Sequence, residues 1–458
     1  MTNSVLTGKK HIHFIGIGGS GMYPLAQILH SKGYYLTGSD NNETETLKAI
    51  RDMGIPVTLG QRAENIEGAD LIVYTAAIMS DNPELIAAKE SEVTVLERSE
   101  LLGIITSQYD NALCVSGTHG KTTTSSMITQ ILLEAGVDTA AVIGGKLPLI
   151  GGSGRVGNSD TLVCEACEFV DTFLKLYPDI SVILNIDADH LDYFKTVDNI
   201  IKSFAKFADK TTKTIIVNGD DENSMKAVEE QLEKKKIITF GWTPENDYYP
   251  ENINYVSGFY TQFSLMNNGQ KLCDIELRVP GKHNVLNAVA ACVAAIECGV
   301  EPEDLPVGLS HFRGAMRRFE MLDCVNGITV ADDYAHHPAE LKVTLSAAKA
   351  MNYKNVWAVF QPFTFSRTKM LLDDFANALK IADRCVLTEI MGSREKNIYG
   401  ITTKDLADEI SGCEWFDTFD KVAQYVADNA EDGDLVITLG CGDVYKVARI
   451  LIDKLKNK

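Results

Sequence analysis

The chain has 458 residues, too many for one ordinary core, and length alone points to about three domains. Its hydrophobic content of 45% and charged content of 23% are those of a globular protein in water. A net charge of -20 argues against nucleic acid or anionic membrane as a partner, because both draw on a surplus of Lys and Arg. An anionic small molecule stays open, since a local cluster of backbone N–H groups and a few cations suffices to hold one.

The N-terminal stretch MTNSVLTGKKHIHFIGIGG lacks the apolar core of a signal peptide. No apolar run approaches the roughly 20 residues of a membrane span, so a cytoplasmic protein is expected. In chain order, residues 11–15 (HIHFI) read as a strand ending in glycines. A helical pattern follows from Met22 to Ser31, then a strand, YYLTGSD. LIVYTAA (71–77) and TVLER (94–98) repeat the theme, and this first unit closes near Ser107. Strands alternating with helices predict a parallel α/β sheet. GIGGSG (16–21) matches G-x-G-x-x-G after a strand, with Asp40 ending the next strand. Alone the motif suggests a nicotinamide dehydrogenase, yet the diphosphate of any nucleotide fits the same turn, and so does a turn made only for close packing.

A second unit begins with the strand NALCVSG, which runs into VSGTHGKTTT (115–124). Only Thr118 and His119 separate Gly117 from Gly120, where the usual phosphate loop has four residues. The physical requirement is nonetheless met: a strand, a tight glycine turn, and a helix start aim N–H groups and the helix dipole at phosphates. Lys121 can reach the β/γ-phosphates and Thr122 can hold Mg²⁺; the loop to Thr123 is the expected ATP site. A solvent-facing lysine after a glycine turn is the bland reading. The helix carries Met127, Ile128, Ile131 and Leu132 at helical spacing and stops at Gly136.

TLVCEA (161–166), ISVILNI (180–186) and TIIVNG (214–219) are further predicted strands. CEACE (164–168) offers Glu165 and Glu168 at a strand end; three apart, only one need face the metal, and Glu165 is favoured over the reading of both as ordinary strand-end acids. NIDADHLDYF packs Asp187, Asp189, His190 and Asp192 where open parallel sheets place ligands, although a lone His is commonly structural. Of ten cysteines only Cys164 and Cys167 form C-x-x-C, inside a buried-strand pattern with no second pair nearby, so free thiols are expected.

Residues 236–280 change to short β-like runs, read as a small antiparallel appendage, and VPGKHNVLNAVAACVAAIECG then reads as a long helix. Near its start, His283, Asn284 and Asn287 could read a nucleobase edge, or Asn284 could simply cap the helix. A third unit starts near Arg313. RGAMRRFE supplies arginines that could clamp phosphoryl oxygens or form a solvated charge run. ITVADD, NVWAVFQP, RCVLTEI and DLVITLG are its predicted strands and DVYKVARILIDKLK its last helix, again a doubly wound parallel sheet. DDYAHHP (332–338) and QPFTFSRT (361–368) sit at strand ends, with a buried capping aspartate as the bland reading of the first.

In the order GIGGSGM, GTHGKTTT, EACE, NIDADHLDYF, GKHNVLNA, RRFE, DDYAHHP, QPFTFSRT and GCGDVYK, the chain resembles the Mur ligase family over nearly its whole length. The short GTHGKTTT is that family's own form of the phosphate loop. The resemblance implies three α/β domains: a Rossmann-like UDP-sugar domain (1–107), a central P-loop ATPase-type domain (108–312) and a Rossmann-like amino-acid domain (313–458). It implies the branch that joins L-alanine to UDP-N-acetylmuramate through an acyl phosphate, with ATP and Mg²⁺, in peptidoglycan precursor synthesis. By that resemblance Lys121 stabilises the γ-phosphoryl group, with Arg317 or Arg318 assisting, and Thr122, Glu165 and His190 form the Mg²⁺ shell. His283 and Asn287 contact adenine, and Asp333 lies near the ribose. Gly18, Gly19, Ser20, Gly21, Met22 and Asp40 hold the UDP moiety, and His336, His337 and Arg367 face the alanine. Two departures stand out. Phe363 follows Gln-Pro where many relatives have histidine, which suits an apolar wall. No residue of NIIKSFAKFADK matches the carbamylated lysine of sibling ligases, so Lys202 and Lys206 read as surface residues.

Three rivals remain at this point: a nicotinamide oxidoreductase, which leaves Lys121 and Thr122 unexplained; a nucleotide switch without turnover; and a sister ligase of wall recycling that attaches a whole peptide. The expected partners are small molecules, the chain a monomer or homodimer, and domain closure is expected to bring the ATP and amino-acid contacts together.

Overall fold

A computed structural model describes residues 5–257, 260–393 and 395–458, except the side chains of Asp192, Val256 and Ser257. It contains three sheets. The first comprises β1 (His11–Ile15), β2 (Tyr35–Asp40), β3 (Val57–Leu59), β4 (Leu71–Tyr74) and β5 (Thr94–Glu97) in the order β3-β2-β1-β4-β5, all parallel. The chain moves outward from β1 to β3 and then crosses back to β4. That reversal opens a crevice at the strand C-termini, beside the glycine loop. The helix Tyr23–Ser31 follows the loop and buries Leu25, Ala26, Ile28 and Leu29.

The central sheet holds β6 (Asn111–Ser116), β7 (Ala140–Leu147), β8 (Gly152–Arg155), β9 (Thr161–Glu165), β10 (Ile180–Ile183), β11 (Thr214–Asn218), β12 (Lys236–Phe240), β13 (Tyr248–Ser257), β14 (Tyr260–Asn267) and β15 (Gln270–Leu277). Its order is β15-β14-β13-β12-β11-β10-β6-β9-β7-β8. The parallel heart is β7-β9-β6-β10-β11-β12, with β8 antiparallel to β7. The β-rich run from 236 extends this same sheet: β12 pairs with β11 in parallel, and the next three strands follow it. Asn268 and Gly269, both at positive φ, close the β14–β15 hairpin. One apolar cluster runs from Phe14 and Leu71 of the first sheet, with Leu25 of the helix after its loop, to Cys114 and Ile183 of the second, with Phe204 of the helix Val197–Lys210. Contacts accordingly group the chain up to Ile253, with Phe263–Glu276 and Val285–Phe312, as one compact unit.

The second unit takes Asn254–Gln262, Leu277–Asn284 and Arg313–Lys458. Its sheet of β16 (Glu320–Val325), β17 (Ile328–Asp333), β18 (Val356–Phe360), β19 (Arg384–Thr388), β20 (Glu414–Phe416) and β21 (Leu435–Leu439) is ordered β16-β17-β21-β18-β19-β20. All its pairs are parallel except the β16–β17 hairpin, which turns at Asn326 and Gly327. Apolar clusters cover both faces, as a doubly wound sheet requires. All ten cysteines are free, and Cys114 and Cys164 are buried register partners on β6 and β9. The Cys164 thiol and burial hold the Cys114 thiol well above its usual value. Among the described residues no helix is long and apolar enough to cross a membrane.

Candidate active site

β6 delivers the chain to Gly117 at φ 138° and Gly120 at φ 87°, conformations that L side chains rarely adopt. Space is equally short: a Cβ on Gly117 would lie 2.9 Å from Leu184 Cβ, and one on Gly120 2.7 Å from Asn287 Oδ1. The strand expected to run to Ile186 stops at Ile183, and the freed residues brace the loop instead. Thr118 N donates to Asn185 O (3.0 Å) and His119 N to Asn185 Oδ1 (2.8 Å). Asn185 Nδ2 returns a bond to His119 O (3.1 Å), and Asp187 N donates to Thr118 Oγ1 (2.9 Å). Two residues between the glycines thus suffice because the loop leans on the next strand's end. The helix that follows, Lys121–Glu134, has no side-chain cap and no acid in its first turn, where Thr123 also lies. Its first N–H groups and dipole favour an anion there.

Both acids of CEACE face this loop, where one was expected. Lys121 Nζ donates to Glu168 Oε2 (2.8 Å) and Oε1 (3.1 Å), and also to Gly117 O (2.5 Å) and Thr118 O (3.1 Å). Burial disfavours the charged ammonium, but Glu168 beside it outweighs that and raises the Lys121 pKa above its usual value. Thr122 Oγ1 donates to Glu165 Oε2 (2.8 Å), which also accepts from Gly144 N (2.9 Å). His190, at φ 53°, places Nε2 3.9 Å from Glu168 Oε1 and packs against Phe169 at 4.7 Å between ring centres. It therefore joins the Lys121–Glu168 pair, while Thr122 and Glu165 form a neighbouring oxygen pair. Asp187 lies 3.8 Å from His119, and Asp189 3.8 Å from His190. The Asp192 side chain lies outside the described residues. Asn287 lies beside Gly120 at the phosphate loop. His283 packs over Gly281 within the second unit, and Asn284 Nδ2 donates to Pro280 O (2.6 Å) there. Lys202 and Lys206 are exposed on the helix Val197–Lys210.

The glycine loop of the first sheet is held from below. Gly16 N and Ile17 N donate to Ser39 O, and Gly18 N donates to Asp40 Oδ2 (3.0 Å). Asp40, expected to contact substrate, braces the loop with one oxygen and takes Asn42 N (3.1 Å) with the other. Gly19 O accepts from Met22 N (2.9 Å), and buried Met22 starts the helix. Ser153 Oγ on β8 donates to Ser20 O (3.2 Å), and Gly144 on β7 touches Glu165. The β7–β8 hairpin, absent from the sequence reading, thus links the two glycine loops.

In the second unit Arg317 is bonded to its own sheet and loops. Its Nε donates to Asp332 Oδ2 (2.8 Å) and its Nη2 to Gly440 O, and the guanidinium sits between Tyr334 (5.0 Å) and Tyr445 (4.9 Å). Arg318 also lies over Tyr334, at 5.2 Å. Asp333 is likewise turned inward: its carboxylate accepts from Phe319 N and Ala335 N (each 2.7 Å), and from Thr344 Oγ1 (3.3 Å). His336 Nδ1 lies 3.1 Å from Glu340 Oε2 and its ring 6.4 Å from Phe363. His337 caps the helix Pro338–Lys349. Arg367, on the helix Phe365–Met370, opposes the burial that pushes the Cys441 thiol up to about 12.

Burial pushes Asp333 up to about 6 from the ordinary 3.8, against the pull of Arg318 and the two N–H donors. A folded-state pKa above the unfolded one means stability that is complete below about pH 3.8 and lost as pH rises through about 6. Relative to Asp333→Asn, the wild type is expected to lose roughly 3 kcal/mol of stability between pH 4 and 7. Urea midpoints of the two proteins across that range measure it; parallel curves would refute it.

Models of three domains match consecutive stretches of the chain. Residues 11–110 match the Mur ligase family, catalytic domain; 115–295 the Mur ligase middle domain; and 317–442 the Mur ligase, glutamate ligase domain. The chain is 44% identical over 451 residues to the UDP-N-acetylmuramate–L-alanine ligase of Agathobacter rectalis, covering 97% of this chain and 98% of the relative. It is 42% identical to the ligase of the same name from Caldanaerobacter subterraneus subsp. tengcongensis, covering 98% of each. Among solved structures, UDP-N-acetylmuramate-alanine ligase MurC from Thermotoga maritima superposes with a TM-score of 0.82 at 28% identity, covering 98% of this chain and 99% of that one. A murein peptide ligase from Psychrobacter arcticus shares the fold, with a TM-score of 0.74 at 24% identity, covering 98% and 99%.

Proposed function

The chain belongs to the Mur ligase family, and from that premise we propose that it joins L-alanine to the carboxylate of UDP-N-acetylmuramate, coupled to cleavage of ATP to ADP and phosphate. The observation that carries this reading is the nest at GTHGKTTT, where Lys121 and Thr122 each meet their own carboxylate on the strand end after β9. A nicotinamide enzyme has no use for that pair, and the relatives at 42–44% identity are all named as alanine-adding ligases.

A carboxylate is a poor electrophile, so the reaction needs a leaving group on it. A carboxylate oxygen attacks the γ-phosphorus, the bond to the ADP oxygen breaks, and an acyl phosphate forms. The alanine amine then attacks the carbonyl carbon, phosphate departs with the C–O electron pair, and the amine loses a proton. The N–H groups of Gly120 to Thr123 at the helix start would cradle the phosphates, and Lys121 would swing from Gly117 O to the γ-phosphoryl oxygens. Thr122 and Glu165, hard oxygen donors already in contact, fit Mg²⁺, with His190 nearby; the ion would neutralise phosphate charge. We assign residues 1–107 to the UDP-sugar, 108–312 to ATP, and 313–458 to the amino acid, and place the reaction in the cytoplasm. The hairpin linking the two glycine loops supports a path for the muramoyl carboxylate toward ATP. His336, Arg367 and the Phe363 ring are the residues assigned to alanine.

ADP release with ATP, Mg²⁺ and UDP-N-acetylmuramate, with L-alanine, glycine, L-serine or tripeptide each added separately, tests the reading. Turnover is expected to require the sugar nucleotide and to be fastest with L-alanine. Turnover with tripeptide alone would transfer the chain to the recycling branch.

A further inference from the structure

The glycine loop of the first sheet has a neighbour that its motif does not announce. Arg98 opens the helix Arg98–Thr106 directly after β5, on the far side of the crevice from Asp40. Its side chain runs to Gly21: a Cβ there would lie 3.1 Å from Arg98 Cδ, 3.3 Å from Nη1 and 3.4 Å from Nε. Gly21 does not adopt a positive φ, so the backbone does not demand glycine at this position. A Cβ there would instead crowd the Arg98 side chain, which would have to give by a few tenths of an ångström.

Arg98 is half-buried, and among the described residues it makes no hydrogen bond or ion pair. The adjacent acids are engaged elsewhere. Glu97 accepts from Ser99 N (3.2 Å) and Ser99 Oγ (2.6 Å), and Glu100 accepts from Glu97 N (2.9 Å) and faces Lys175 (3.7 Å). The helix Tyr23–Ser31 that follows the loop has no side-chain cap and no acid in its first turn. A partly desolvated cation without an ion-pair partner, laid beside Gly21 at such a helix start, is a site for an anion.

We propose that Arg98 is the side chain that neutralises the diphosphate of the UDP-sugar on the loop Gly16–Gly21, and that it sets the preference for a nucleoside diphosphate over a monophosphate. The inference rests on the UDP-N-acetylmuramate reading above. The planar fork of arginine can bind an oxygen of each phosphate, whereas lysine offers a point charge.

Isothermal titration of UDP-N-acetylmuramate, UDP and UMP into the wild type, Arg98→Ala and Arg98→Lys tests it. Arg98→Ala is expected to weaken the two diphosphates by about ten- to a hundredfold and UMP much less, so the UDP-over-UMP ratio collapses. Arg98→Lys should recover part of that ratio, and ATP binding and the melting temperature of both variants should match the wild type. Equal weakening of UDP and UMP, or diphosphate affinity within about twofold of wild type in Arg98→Ala, would overturn the proposal. A wild type that binds ATP but none of the uridine nucleotides would instead overturn the substrate reading on which it stands.

Discussion

Replacing Lys121 by Met is expected to lower ADP release about a thousandfold while leaving UDP-N-acetylmuramate binding intact. The ammonium is bonded to two carbonyls of the phosphate loop, and methionine keeps its length without its charge. Stability will fall as well, because Glu168, with a side chain 3% exposed, loses its partner. Breaking a buried pair from one side costs about 3–5 kcal/mol. The double variant Lys121→Met/Glu168→Gln separates the two effects. It removes both charges, so its melting temperature should return toward the wild type while turnover stays low. If Lys121→Met kept more than about a tenth of wild-type turnover, Lys121 would not be the group that stabilises the transferring phosphoryl.

The features that were legible in the sequence are local ones. A run such as HIHFI or ITVADD states its own strand, and both end where the pattern ends. GTHGKTTT fixes a strand, a turn and a helix start within ten residues, because the glycine conformations and the helix N-terminus are properties of adjacent residues. The misses have two physical origins. Strands such as Ala140–Leu147 and Gly152–Arg155 are rich in glycine and small residues, so they offer little β propensity and gain their structure from neighbours. The hairpin at Asn326-Gly327 carries a usable signal, an Asn-Gly between two apolar runs. Pairings across long separations were beyond reach. Nothing local tells that Glu168 meets Lys121, that Arg98 lies on Gly21, or that Asp333 and Arg317 turn inward on their own domain.

Glu168→Gln should lower turnover by about ten- to a hundredfold, the size of a small displacement of a catalytic group, and should do so in a pH-dependent way. Burial alone would push Lys121 down; the Glu168 charge is the main influence holding it above its usual value. Without that charge Lys121 loses its proton at a lower pH, so the alkaline limb of kcat/KM for ATP moves toward neutrality. A role for Glu168 in metal binding predicts something different: a higher Mg²⁺ requirement with an unmoved limb. That second signature is the one expected of Glu165→Gln, since Glu165 contacts Thr122 rather than Lys121. Measuring both variants across pH and across Mg²⁺ concentration therefore assigns the two acids separately. A common Mg²⁺ defect in the two would show that Glu168 releases Lys121 to the phosphate and turns to the metal during the reaction. A limb that moves only in Glu168→Gln would show that it stays with the lysine, keeping the ammonium charged in a buried loop whose surroundings favour the neutral amine.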